Sequence, residues 1–223
     1  MFKKAFTLAE ILITIGIIGV VAAFTIPVLV NNIANKENIT HLKKSYAVLA
    51  NIVQRAQVDN EAFNYWYLVD NDSEKTTIAF NRYVKPYMNI IKSCADGESG
   101  CWTQSYELNG TAVGNANGVG SNIHSFVLSD GVNIVMNIYS SQSDLDKFGI
   151  KDNKLMPFIG FYVDVNGMKA PNTFGKDIFA FVLTHKGLVP AGIDYDDEES
   201  DCNKESTGYM CAAQVMQTDS ISY

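Results

Sequence analysis

Residues 6–30, FTLAEILITIGIIGVVAAFTIPVLV, form an apolar run interrupted by a single acid, Glu10. A bilayer core about 30 Å thick takes about 20 apolar residues of helix. Ile11 to Val30 supplies that length with no ionisable side chain. Downstream of Pro27 the pattern changes: Ile39, Leu42, Tyr46, Leu49, Val53 and Ala56 recur at alternating spacings of three and four, the signature of an amphipathic helix. The two patterns predict one helix from Phe6 to about Gln57, on the order of 75–80 Å long at about 1.5 Å per residue. The stripe lasts little more than two heptads, short of the three or four that define a coiled-coil seam, so packing against a sheet is the better reading.

Residues 58–223 have the size of one domain. Asn71 to Lys85 reads as a second helix, with Ser73 as N-cap, Glu74 in the first turn and Pro86 limiting its continuation. Ser125 to Tyr139 alternates apolar and polar positions around Asp130-Gly131, a hairpin signal. Phe158 to Val165, the Asn166-Gly167 turn and Asp177 to Thr184 add strands, and Lys186-Gly187 turns into a short last one before Pro190. The expected fold is α+β: a long N-terminal helix packed on a C-terminal antiparallel sheet of four or five strands.

Charge orients this arrangement. Lys3 and Lys4 precede the apolar run, and positive charge at a membrane-entering N-terminus stays cytoplasmic, so the rest of the chain is expected outside. The run is long for the apolar region of a signal peptide, and Asn31-Asn32 follows it instead of a small-x-small cleavage site. Residues 1–57 carry six Lys or Arg against Glu10 and Glu37, about +4, and the net charge of −7 leaves about −11 on the remainder. An acidic domain argues against electrostatic attraction to nucleic acid or anionic surfaces. Lys36, Lys43, Lys44, Arg55 and Glu37 read as a solvated helix face.

An acid inside an apolar segment reads as functional; the plain alternative is that Glu10 complements the positive helix N-terminus. The residues Lys3-Lys4-Ala5-Phe6-Thr7-Leu8-Ala9-Glu10 resemble the processing motif of type IV prepilins and type II secretion pseudopilins. The resemblance implies cleavage by a membrane prepilin peptidase between Ala5 and Phe6, and methylation of the new Phe6 amine. It also implies pairing of Glu10 with the Phe6 amine of a neighbouring filament subunit, where two opposite charges cost less together than apart. Pro27 and the small residues Gly16, Gly19 and Ala23 match what the family carries in this helix. Ala5 departs from the commoner glycine at the cleavage position.

The family fold is the same pilin-like α+β architecture. The resemblance further implies homo- or hetero-filament partners, an inner-membrane assembly platform and a cytoplasmic ATPase. Asp164-Val165-Asn166-Gly167, Pro171-Asn172 and Gly175-Lys176-Asp177-Ile178-Phe179 also look like the C-terminal sheet of some pseudopilin-like proteins.

Four cysteines allow three disulfide connectivities. Local pairing, Cys94 with Cys101 and Cys202 with Cys211, is the simplest, and an outward location permits it; four reduced core cysteines are the alternative. The spacings are too wide for the usual zinc pairs. The 202–211 loop is similar to the disulfide-bounded region of many pilins. Acids concentrate at Asp194, Asp196, Asp197, Glu198, Glu199 and Asp201. Calcium takes several oxygen ligands on a flexible loop, and the resemblance raises the idea here because major pseudopilins often hold calcium in a C-terminal loop. The candidate ligands are Asp194, Asp196, Asp197, Glu199 and Asp201, but their order matches no EF-hand, and a solvated acidic loop is the preferred reading.

Nothing in the motifs points to catalysis. His41, His124 and His185 fall on the first helix, ahead of a strand and in a turn, with no shared ligand spacing. There is no Gly-x-Ser-x-Gly elbow, P-loop or H-E-x-x-H. Asn109 to Gly120 follows no dinucleotide fingerprint and reads as a loop between strands. Tyr65, Trp66 and Tyr67, with Trp102, read as an aromatic lid over the helix–sheet core.

The expected organisation is a leader at 1–5, a membrane or filament-core helix at 6–30, its amphipathic continuation at 31–57 and an α+β head at 58–223. The expected function is a filament subunit, pilin or pseudopilin, with no cofactor other than the calcium alternative. A plain signal anchor carrying a binding domain is the reading from another class.

Overall fold

The structure is a computed structural model that describes residues 7–114, 121–152, 154, 156–195 and 202–223. The first helix, α1, runs Leu8–Asn60 without a break and contains Pro27. The chain divides into two compact units, residues 1–37 and residues 38–223, so the boundary falls inside α1.

In the second unit α1 buries Ile39, Leu42, Leu49, Val53 and Ala56, positions of the stripe that the three–four spacing predicts, and also Ile52, which lies outside that spacing. Tyr46 joins it, its ring 5.5 Å from Phe181 and its hydroxyl donating to the Leu188 carbonyl at 3.3 Å. Fully burying one such side chain stabilises by about 1.5–3 kcal/mol, and that burial, rather than helix propensity, fixes this half of α1 on the sheet.

Helix α2 spans Ser73–Tyr83. Its cap is Asp72, not Ser73: the Asp72 carboxylate accepts the Lys75 N–H at 2.9 Å. Asp72 has extended backbone angles, φ −139° and ψ 106°, as a residue just ahead of the first helical turn does. The helix ends two residues before the expected Lys85, and Lys85–Tyr87 forms a 3₁₀ turn holding Pro86.

The main sheet has six antiparallel strands, one more than the upper expectation: β1 (Ile90–Cys94), β4 (His124–Leu128), β5 (Asn133–Tyr139), β6 (Phe158–Asp164), β7 (Ile178–Thr184) and β8 (Gly187–Pro190), in the order β1-β4-β5-β6-β7-β8. The extra strand, β1, is an edge with a register shift between Ile90 and Lys92 and three exposed central residues, so it shows no apolar alternation. Ser105–Tyr106 (β2) and Ala112–Val113 (β3) pair as a separate ribbon, which gives part of the expected Asn109–Gly120 loop a strand.

The β4–β5 turn carries Gly131 at φ +89°, a left-handed conformation that glycine adopts freely.

Strands β6 and β7 are buried at every position. Strand alternation sends Ile159, Phe161, Val163, Phe179, Phe181 and Leu183 to a face covered by α1, α2 and a C-terminal helix Cys211–Thr218. Phe158, Tyr162, Ile178, Ala180 and Val182 face a second core with Trp102, Phe148, Phe174 and Tyr209, where a short helix Gln142–Lys147 contributes Leu145. These two helices are α3 (Gln142–Lys147) and α4 (Cys211–Thr218), and neither was expected from sequence.

The expected aromatic lid is correct for one residue. Trp66 is buried and stacks on Tyr83 with ring centroids 4.3 Å apart. Tyr65 and Tyr67 are exposed, while Trp102 lies in the core on the opposite sheet face, its indole N–H donating to Ser105 Oγ at 2.7 Å.

Candidate functional site

The first candidate is the start of α1. Thr7 is the residue before the helix, and Glu10 Oε2 accepts both its backbone N–H and its hydroxyl at 2.8 Å. In return Thr7 Oγ1 accepts the Glu10 N–H at 3.2 Å. This is a capping box, in which a side chain at each end of the first turn satisfies a backbone donor of the other.

From there the apolar side chains Leu8, Ile11, Leu12, Ile18, Phe24 and Leu29 are exposed, and nothing lies within 4 Å of a Cβ built on Gly16 or Gly19. Thr14 Oγ1 donates to the carbonyls of Glu10 at 3.0 Å and Ile11 at 2.9 Å, and Thr25 Oγ1 donates to Val21 O at 2.9 Å. The hydroxyls are thus satisfied within the helix, as an apolar surrounding demands. Among the described residues α1 is the one helix long and apolar enough to cross a membrane. The leader and cleavage residues Lys3, Lys4, Ala5 and Phe6 lie outside the described residues.

Cys94–Cys101 and Cys202–Cys211 are both disulfide-bonded, the local pairing among the three possible. The first ties the end of β1 to the following loop, and the second anchors the first residue of α4.

Of the acidic run, only Asp194 belongs to the described residues, and its Oδ2 accepts the Lys151 N–H at 2.8 Å; Asp196, Asp197, Glu199 and Asp201 lie outside them. Among the described residues no group of three or more His, Cys, Asp or Glu is placed to hold a metal.

The histidines are scattered. His124 is buried in β4 between Thr77 Oγ1 at 3.1 Å and Ser93 Oγ at 2.8 Å, stacked on Phe80 at 3.9 Å. Burial pushes its pKa down to about 4, with Glu98 opposing the shift and Lys85 adding to it. His185 Nδ1 lies 3.2 Å from Asp152 Oδ2, and His41 sits on α1.

A second constellation was not singled out as a site from the sequence. The connection from β6 to β7 holds two buried carboxylates, Asp164 and Asp177. Asp177 is fully engaged: Oδ1 accepts the Thr173 N–H at 2.6 Å, and Oδ2 accepts the Asn172 N–H at 2.9 Å and Asn166 Nδ2 at 3.1 Å. Asp164 Oδ1 and Asn166 Oδ1 are buried without a hydrogen-bond partner. So is the Nδ2 of Asn133, which sits opposite Asp164 on β5.

Burial, reinforced by neighbouring Asp177, pushes the Asp164 carboxyl up to about 9, and burial likewise raises Asp177. Gly167, at φ +73°, completes the tight Asn166-Gly167 turn, and a Cβ there would meet the Gly131 carbonyl at 2.7 Å. The signal available in sequence was the Asp-x-Asn-Gly and Pro-Asn spacing, which carried a resemblance but no chemistry until folding brought residues 164, 166, 172 and 177 together.

Fold and sites define an α+β protein whose long apolar N-terminal helix continues into the core beneath an antiparallel sheet. Residues 28–220 match a family of unknown function, DUF6613, and the chain belongs to it. No curated protein and no solved structure matches the chain.

Proposed function

We propose that this chain is a structural subunit of a type IV pilus-like or type II secretion pseudopilus filament. A prepilin peptidase cuts it between Ala5 and Phe6, and it assembles through its N-terminal helix on an inner-membrane platform. Before assembly it spans the inner membrane once, with its N-terminus cytoplasmic and its acidic domain periplasmic or extracellular. Its role is mechanical, not catalytic.

The observation that carries this reading is the helix itself. One uninterrupted α1 presents an exposed apolar first half with its sole acid, Glu10, in the first turn, and buries its second half under an antiparallel sheet. An exposed aliphatic surface of this length needs lipid or other helices around it. In a bundle of such helices a carboxylate near each N-terminus meets a free amine at far lower cost than it could be buried alone. The two disulfides fit an oxidising compartment.

The capping box favours a second reading. Thr7 gives Glu10 a local role that a plain membrane anchor could use, and the chain would then be an uncleaved signal-anchored extracytoplasmic binding protein. Intact mass and an N-terminal peptide map of the protein from its native membrane separate the two. A chain beginning at methylated Phe6 is the expected result; a chain retaining Met1 to Ala5 overturns the filament reading in favour of the anchor.

A further inference from the structure

One exposed loop of the second unit departs from that unit's acidic character. Met168, Lys169, Ala170 and Pro171, in the β6–β7 connection, are four consecutive exposed residues, and Lys176 is exposed after them. Met168 is 46% exposed, so the loop offers an apolar tip flanked by cations. Among the described residues neither lysine amine has a carboxylate partner. The acids of the same connection, Asp164 and Asp177, are buried, and burial pushes the Asp164 carboxyl up to about 9, so it carries no opposing charge at neutral pH. On neighbouring α1, Lys43 and Lys44 are paired with Asp219 and Asp130, and Glu37 follows Lys36.

Two contacts fix where this loop lies. Asn38 Nδ2 donates to the Lys176 carbonyl at 3.2 Å, and the Tyr46 ring is 5.5 Å from Phe181. The chain from Lys176 to Phe181 thus runs alongside α1 in the same direction. Asp164 ends β6 opposite Ile178 at the start of β7, so the connection occupies the end of the sheet where α1 enters the second unit at Asn38. Eight residues separate Asn38 from Val30, the end of the apolar run, and as helix they rise about 12 Å. The headgroup layer is about 5–8 Å deep on each side of a bilayer, so the long stems of Lys169 and Lys176 can bring their amines to it.

We propose that the 168–171 loop, with Lys169 and Lys176, docks on the anionic phospholipid surface around α1 and holds the domain against the bilayer before assembly. The inference rests on the reading that α1 spans a membrane. Apolar tips flanked by lysines suit this boundary, because the tip enters the acyl edge while the cations meet phosphate. Each lysine held at an anionic surface favours the docked state about fivefold. The rival occupant is the acidic surface of a second copy of this chain.

The test places the full-length chain, one copy per nanodisc, in bilayers of phosphatidylcholine alone or mixed three to one with phosphatidylglycerol. Lysines are acetylated with an uncharged ester and read by peptide mass spectrometry. The expected result is acetylation of Lys169 and Lys176 slowed about fivefold in the anionic discs, with normal rates returning in about 1 M salt, where the Debye length is about 3 Å. Lys154, which precedes β6 at the other end of the sheet, should react equally in both lipids. Lys169→Gln, at an exposed position, should reduce the protection of Lys176 from about fivefold to about twofold.

A carbonate wash of proteoliposomes separates this proposal from the reading beneath it. Equal rates in the two lipids for a chain that resists the wash overturn the docking alone, and a chain that the wash extracts overturns both. Equal protection in both lipids overturns the anionic partner in favour of apolar contact only. Protection that appears only when several chains share one bilayer overturns it in favour of a second copy.

Discussion

Thr7 and Glu10 satisfy each other across the first turn of α1, with Glu10 Oε2 accepting at 2.8 Å and Thr7 Oγ1 accepting in return at 3.2 Å. A capping box tolerates Gln in place of Glu, so the cap and the negative charge can be separated experimentally. Glu10→Gln should keep helix content and membrane insertion while abolishing incorporation into filaments, whereas Thr7→Ala should lose about 0.5–2 kcal/mol of local capping and still assemble. Filament yield on electron micrographs, together with membrane fractionation, reads both. Wild-type assembly by Glu10→Gln would remove the charge-pairing role.

Leu49 and Lys44 lie on the same helix with opposite energetic weight. Leu49 is buried against the sheet, and Leu49→Ala should cost about 2–5 kcal/mol. Lys44 meets Asp130 at 2.6 Å on the surface, and Lys44→Ala should cost about 0–1 kcal/mol. Thermal melts of the two variants in one detergent should show a large fall in Tm for the first and almost none for the second.

Each disulfide closes a short loop, with sequence separations of 7 and 9. Restricting an unfolded chain by loops of that length contributes about 2–3 kcal/mol apiece in the chain-entropy account. The Cys94→Ser, Cys101→Ser double variant should therefore lower the urea midpoint measurably, as should its counterpart at Cys202 and Cys211. Unchanged midpoints would mean that the surrounding core already restrains both loops.

His124 imposes a pH dependence of defined sign. The unfolded chain protonates this histidine near about 6.5, while the folded chain resists until about 4 because the ring is buried against Phe80. Between those values the unfolded state binds more protons, so stability is present above about 6.5 and falls as the pH drops towards 4. Asp164, held protonated by burial, tilts the curve in the opposite sense over the same range. The measurement is therefore a difference, Tm of the wild type minus that of His124→Gln, from pH 7 to 4. It should shrink as the pH falls; a constant difference would mean that the buried ring does not titrate with folding.

Much of the frame was legible along the chain. Period three–four from Ile39 to Ala56 located the buried face of α1, and Asp130-Gly131, Asn166-Gly167 and Lys186-Gly187 each fell at a strand turn. Local signals failed where neighbours decided. β1 has one hydrogen-bonded partner strand and exposed central residues, so its pattern is that of a loop. Ser73 and Asp72 both have capping side chains, and the backbone, extended at Asp72 and already helical at Ser73, gave the role to Asp72. Tyr65, Trp66 and Tyr67 are equivalent in sequence, yet only Trp66 turns inward to stack on Tyr83.

By itself the sequence determined the apolar helix with its one acid, the amphipathic continuation, the α+β class and the motif that resembles a prepilin cleavage site. Each of these depends on residues a few positions apart, and periodicity along one chain reports it. Only the tertiary structure decided the six-strand order and the two separate cores. It alone brought Asp164, Asn166, Asn172 and Asp177 together at the β6–β7 connection, because burial and open hydrogen-bonding atoms exist only once distant segments pack together and exclude water.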